Sequence, residues 1–196
     1  GHRGYYTPTN VYWLAATGTG VRMATLDAST NAGGAAVTTH DEVAEYAPDL
    51  LYRDFYRPNE DAFDHWFAAL LQRSIPVASS VATDRRVAGS NAVIVLSLFG
   101  LTTITRVTPD HITALTINGN NFTNFSFDGE SDVVVTGRFS SATLNDGLTT
   151  VSLVQNQWST ADDKAYLESY RVCFPRLLGA RNGQLSFCGR IGTNLY

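Results

Sequence analysis

From residue 75 to residue 157 the chain reads as one strand after another, and this run constrains the fold more than any other feature. Candidate strands cover 75–83, 92–99, 101–108, 112–117, 122–128, 133–139 and 149–157. Each is short, rich in Val, Ile, Thr and Phe, and bounded by Gly, Asn or Asp. The longest apolar run, AVIVLSLFGL at 92–101, has the length of a buried strand and falls well short of the roughly 18 residues that read as a membrane-spanning helix. NGNN at 118–121 and NDG at 145–147 are turn signals that supply positive φ at little cost. A half-buried strand must place its apolar face against another layer, so a series of them implies a sandwich or an open barrel.

The flanks predict additions to that body. VYWLAA at 11–16 and VRMATLD at 21–27 read as two strands across the TGTG turn, followed by a flexible loop at 28–36. Thr39 and Glu42 form a capping box ahead of a helix that Pro48 stops, and a second short helical piece is expected at 49–56. In PNEDAFDHWFAALLQR, residues 58–73, Asn59 caps a third helix and Glu60 and Asp61 sit in its first turn. Phe63, Trp66, Phe67, Leu70 and Leu71 make one apolar stripe at helical spacing. Asp61, His65 and Gln72 point away from that stripe and Asp64 lies on its flank, which predicts a solvated helix face rather than an acid/base site. A last helix is expected at 161–170, capped by Ser159 or Thr160 with Asp162 and Asp163 in its first turn, and RVCFP and QLSFCG close the chain as short strands. The expected fold is therefore mainly β: a single-domain β-sandwich or open barrel over 1–196, with a short helical insertion around residues 39–73 and a late helix around 160–170. The only methionine is Met23. The domain is accordingly expected to be excised from a larger polypeptide.

Composition narrows the chemistry. Net charge is −4, and Arg85-Arg86 is the densest basic pair, so no basic surface for nucleic acid is expected. Hydrolase elbow, P-loop, dinucleotide fingerprint and zinc-protease motifs are all absent from the sequence. His2, His40, His65 and His111 are scattered, with His40 expected in a helix first turn and His111 in a turn after TPD. With two cysteines they offer no metal spacing. No catalytic residue, metal ligand or cofactor is assigned, and no enzyme activity or membrane insertion is expected. Cys173 and Cys188 suit either a disulfide or two buried thiols, and Asn121 and Asn124 begin glycosylation sequons that read first as turn and strand residues. Lys164 is the only lysine among 14 basic residues. Tyr5, Tyr6, Tyr12, Tyr46, Tyr52, Phe55 and Tyr56 are grouped aromatics, and YRDFYRP at 52–58 mixes Tyr, Phe and Arg as interface segments do. The binding residues themselves are not readable from the sequence.

ITALTINGNNFTNFSFDG at 112–129 resembles, over that stretch, the immunoglobulin-like domains of transcription factors and bacterial surface proteins, a likeness that hairpin chemistry accounts for. Taken whole, a β-rich chain full of Thr, Ser, Gly and Asn, poor in Met and Lys and free of catalytic signatures, resembles the protruding spike or attachment domain of a non-enveloped virus capsid. Among these it is similar in length and strand content to astrovirus capsid spikes, with adenovirus-like fibre heads the nearest competitor. The resemblance rests on composition and layout and transfers no residue. It implies a β-barrel spike on the virion surface, a homo-oligomer with a dimer favoured, whose partners are a host receptor protein or glycan and neutralising antibodies. In that case ASTNAGGAA, TDRRVAGSN and NDG would be displayed loops. The alternative is a carbohydrate-binding or carbohydrate-active β-domain of cellular or phage origin, in which an aromatic platform with Asn, Asp and Arg would meet the sugar.

Overall fold

The computed structural model describes residues 38–54, 65–155, 163–181 and 183. The strands are β1 (Thr39–Tyr46), β2 (Leu51–Tyr52), β3 (Trp66–Phe67), β4 (Ala69–Gln72), β5 (Val77–Ala82), β6 (Asn91–Gly100), β7 (His111–Ile117), β8 (Asn120–Phe127), β9 (Asp132–Ser140), β10 (Leu148–Gln155) and β11 (Lys164–Leu177). One sheet runs β1-β11-β6-β9, and β4 continues the β1 side of β11. The second runs β5-β10-β7-β8, and β2-β3 forms a small third pair. Every strand pairing is antiparallel.

The two larger sheets face each other as a sandwich. Ile94, Leu96 and Leu98 of β6 and Leu167, Val172 and Phe174 of β11 meet Leu115 and Ile117 of β7 and Val151 and Leu153 of β10 in one buried cluster. Each such side chain contributes about 1.5–3 kcal/mol when fully withdrawn from water. Tyr170 crosses the gap to share a 2.9 Å hydrogen bond with Ser79 on β5 and stacks on Tyr46 of β1 at 5.2 Å between ring centroids. Asn118 and Gly119, at φ 50° and 77°, close the β7–β8 hairpin as the NG signal predicts. The chain then changes sheet repeatedly: 101–110 carries it from β6 to β7, 128–131 from β8 to β9, and a 3-10 turn at Ser141–Thr143 lies on the way from β9 to β10.

The helices expected within the described residues are strands. Residues 39–46 pair along their whole length with β11, so the sheet ladder overrides the local capping box. Of the expected 49–56 helix, Leu51–Tyr52 is strand and 55–56 lie outside the described residues. Over 66–72, Phe67 and Leu71 are fully buried while Trp66 is exposed, an alternation that belongs to strands β3 and β4. Phe63 and residues 58–62 and 64 lie outside the described residues, as do the strands expected at 11–27, the loop at 28–36 and QLSFCG. The late helix is the first half of the 14-residue β11. A register shift between Leu167 and Ser169 switches the inward set from Ala165 and Leu167 to Tyr170, Val172 and Phe174, and this offset imitates helical spacing in the sequence. The strand expected at 101–108 is a loop, because its backbone bonds elsewhere: Leu101 N–H donates to the Lys164 carbonyl and Ile104 N–H to Asp110 Oδ2. Among the described residues no helix is long and apolar enough to cross a membrane.

Candidate functional site

Among the described residues, two constellations stand out at the candidate site, and their exposure separates them. The first forms where the 101–110 loop enters β7. His111, Thr113, Leu115 and Ile117 alternate along β7 with their side chains inward, so a histidine is carried into the interior. Its Nδ1 lies 2.6 Å from Asp163 Oδ1, its Nε2 3.0 Å from the Thr102 carbonyl oxygen and 3.7 Å from Asp110 Oδ1. Gln155 Nε2 donates to the same Asp163 oxygen at 3.3 Å, and Thr113 Oγ1 donates to Gln155 Oε1. His111, Asp163, Gln155, Thr113 and Asp110 are all fully buried, and the imidazole stacks on Phe127 at 4.5 Å.

Both ring nitrogens of His111 face acceptors, so the geometry suits the imidazolium, in which both donate. Burial disfavours that charged form. The Asp163 hydrogen bond and charge, the Asp110 charge and the Thr102 carbonyl together outweigh it and raise the pKa above its ordinary value. Asp110 is held as a carboxylate in spite of its own burial, because Gly129 and Ile104 N–H groups donate to it and His111 lies beside it. The backbone closes tightly around the ring. A Cβ on Gly100 would lie 2.2 Å from the Gly129 carbonyl and 2.9 Å from His111 Nε2. A reacting substrate needs access to such a group, and these side chains have none, so the arrangement clamps the loop to both sheets.

The second constellation is exposed. Tyr52 and Trp66 are opposite each other in the β2–β3 register, as are Leu51 and Phe67. Strand alternation sends the two pairs to opposite faces. Phe67 stacks on Tyr166 of β11 at 4.5 Å and packs with Phe99, while Leu51, Leu70 and Leu101 border the cluster. That anchor turns Tyr52 (53% exposed) and Trp66 (39% exposed) to solvent, with ring centroids 5.3 Å apart and planes at 59°. His65 joins the group at 6.2 Å from Tyr52, and its Nδ1 lies 3.0 Å from the Arg53 carbonyl oxygen. Arg53 and Asp54, which follow Tyr52, are exposed.

Of the residues read from the sequence, His65 is thus a neighbour of the aromatic pair rather than part of a helix face. Asp61, Asp64, Phe55 and Tyr56 lie outside the described residues. Tyr46 turns into the core. His40 lies buried on β1 rather than in a helix turn, and His111 begins β7 rather than sitting in a turn. Cys173 is half-buried on β11 and Cys188 lies outside the described residues, while Asn121 and Asn124 are exposed on β8. Asp163, read as a helix-start residue, is the buried partner of His111. The period-2 row from His111 to Ile117 was a usable signal for the histidine; nothing local signalled a partner 52 positions away. Among the described residues no group of three or more His, Cys, Asp or Glu is arranged to hold a metal.

No protein-family model matches the chain, and the comparison with curated proteins gives no match. Among solved structures the chain is similar to part of dimeric latent PorU from Porphyromonas gingivalis, at TM-score 0.56 and 12% identity, over 76% of this chain and 14% of that one. The chain therefore spans a small part of that protein, and the likeness concerns the fold alone. A CBM36-1 domain of a multidomain xylanase from the hindgut metagenome of Trinervitermes trinervoides aligns at TM-score 0.42 and 15% identity, over 67% of this chain and 95% of that one. Infectious bursal disease virus, Gt strain, aligns at TM-score 0.32 and 10% identity, over 79% of this chain and 36% of that chain. Neither of these two likenesses carries an argument. The fold defines an antiparallel β-sandwich.

Proposed function

We propose that the chain is a non-catalytic recognition module that binds a glycan or a glycan-bearing receptor through Tyr52 and Trp66, and that it acts as the attachment spike of a non-enveloped virus capsid. The observation that carries the recognition reading is the outward aromatic pair on a hairpin whose other face is anchored by Phe67. Aromatic rings fixed on a rigid scaffold provide contact area at low entropic cost. Arg53, Asp54 and His65 beside them supply hydrogen-bonding groups for sugar hydroxyls. The sealing of the His111–Asp163 group supports a module without catalysis. The spike assignment draws on the composition and strand-rich layout, and it brings with it a virion-surface location, a homodimer, and neutralising antibodies as further partners.

The same aromatic pair favours a carbohydrate-binding domain of cellular or phage origin as the second reading. A glycan array probed with the wild-type chain and with Tyr52→Ala and Trp66→Ala tests the shared part. Truncating an anchoring aromatic costs about 2 kcal/mol or more, roughly a 30-fold loss of affinity. Wild-type binding to no glycan, or unchanged binding by both variants, rules the platform out. Light scattering then separates the readings, since a dimer supports the spike and a glycan-binding monomer supports the alternative.

A further inference from the structure

At the end of the sandwich away from β4, the 83–90 loop lies along β11 beyond the start of β6. Leu177 N–H donates to the Arg85 carbonyl at 2.9 Å and Val87 N–H to the Pro175 carbonyl at 2.8 Å. Arg86 thereby bridges Arg176, and on the other edge of β11 Arg176 is in register with His40 of β1. Two strands and the bridged loop thus place His40, Arg176 and Arg86 side by side, a spacing of about 4.5–5.5 Å between facing Cβ atoms.

Arg176, 3% exposed, is satisfied: it donates to the Asp84 carbonyl, the Asp84 carboxylate and the Gly179 carbonyl, and lies 3.7 Å from Glu42. Arg181 shares the Asp84 carboxylate. Its two neighbours in the row differ. His40 is 8% exposed and its Nε2 lies 3.2 Å from Glu42 Oε2, but its Nδ1 is buried without a hydrogen-bond partner. Arg86 Nε is also buried without a partner. An arginine N–H can only donate, and a buried donor left unpaired costs about 1–3 kcal/mol. Arg85 lies over Gly179, filling the space a side chain there would take, since a Cβ would lie 1.7 Å from its Nη1. The Arg176 guanidinium meets the carboxylates of Glu42 and Asp84, that of Arg181 meets Asp84, and the Asp146 carboxylate accepts the Arg85 backbone N–H.

We propose that this corner is an oxyanion-binding site, in which one sulfate, phosphate or carboxylate group, free or carried on a larger ligand, accepts from Arg86 Nε with Arg85 alongside, and from His40 Nδ1 when the ring, whose Nε2 already faces Glu42, is in its imidazolium form. Planar guanidinium groups suit oxyanions because they present several donors in a fixed fork. The site is independent of the Tyr52–Trp66 platform, so each fails or survives separately.

The test is a titration of the wild-type chain with sodium sulfate, followed by ¹H–¹⁵N spectra and set against sodium chloride at matched ionic strength. The Arg86 Nε–H and His40 ring resonances are expected to move together and saturate in sulfate, while Arg106, in the 101–110 loop, serves as the unaffected control. Arg86→Gln is expected to weaken that saturation at least tenfold, with Arg106→Gln without effect. Tighter binding of a sulfated oligosaccharide than of sulfate identifies a carried group; equal or weaker binding identifies a free anion. Resonances of His40 and Arg86 that move no further in sulfate than in chloride overturn the proposal, and that arm does not depend on any variant folding.

Discussion

Replacing His111 with Phe tests the clamp most directly. The aromatic ring keeps the stack on Phe127, so packing changes little, while two hydrogen bonds from the imidazolium disappear. Asp163 is then a fully buried carboxylate whose remaining side-chain donor is Gln155 at 3.3 Å, with Oδ2 already unpartnered. Removing one member of a buried ion pair costs about 3–5 kcal/mol, because the surviving charge stays desolvated. The expected loss lowers the folded-to-unfolded ratio roughly a hundredfold to several thousandfold. Urea unfolding at 25 °C should show a lower midpoint at unchanged slope. Adding Asp163→Asn to His111→Phe removes the stranded charge and should recover part of the loss, giving a coupling energy above about 1 kcal/mol. The pH dependence has a definite sign. Because the folded-state pKa is raised above 6.5, the contribution is full below that value and is lost as pH rises through the folded value. Wild-type stability should therefore fall on the alkaline side relative to His111→Phe, and the gap between them should narrow. A His111→Phe loss under about 1 kcal/mol, or strictly additive single variants, refutes the charged clamp.

Three further outcomes follow from the same geometry. Gly100→Ala should destabilise by about 3 kcal/mol or more in the same urea assay, because its Cβ meets backbone at Gly129 that has no free rotamer to yield. Tyr170→Phe should cost about 1 kcal/mol by losing the Ser79 bond while keeping the Tyr46 stack; burial, eased slightly by that bond, holds the phenol pKa up at about 12, so the cost should be flat across neutral pH. Gly119→Ala, at φ 77°, should cost roughly 1 kcal/mol in thermal unfolding through the hairpin turn alone, since nothing lies within 4 Å of the added Cβ.

The alternation and turn residues from 75 to 157 determined by themselves that the chain is a stacked β structure, and they located β5, β6, β7, β8, β9 and β10 to within a few residues. They did so because each strand's buried face and each turn's positive φ are written locally, as in Asn118-Gly119. The edges were decided by tertiary structure. THDEVAEY caps and spaces like a helix, yet β11 offers it a full ladder, and the register shift near Glu168 hides the strand period of β11 itself. The candidate sites divide in the same way. Tyr52 and the aromatic-rich segment stood out in the sequence, but which of its rings faces water depends on Phe67 finding Tyr166, 99 positions later. His111 with Asp163, and the row of His40, Arg176 and Arg86, exist only because segments far apart in sequence lie side by side, and no local pattern encodes a neighbour that the fold alone brings alongside.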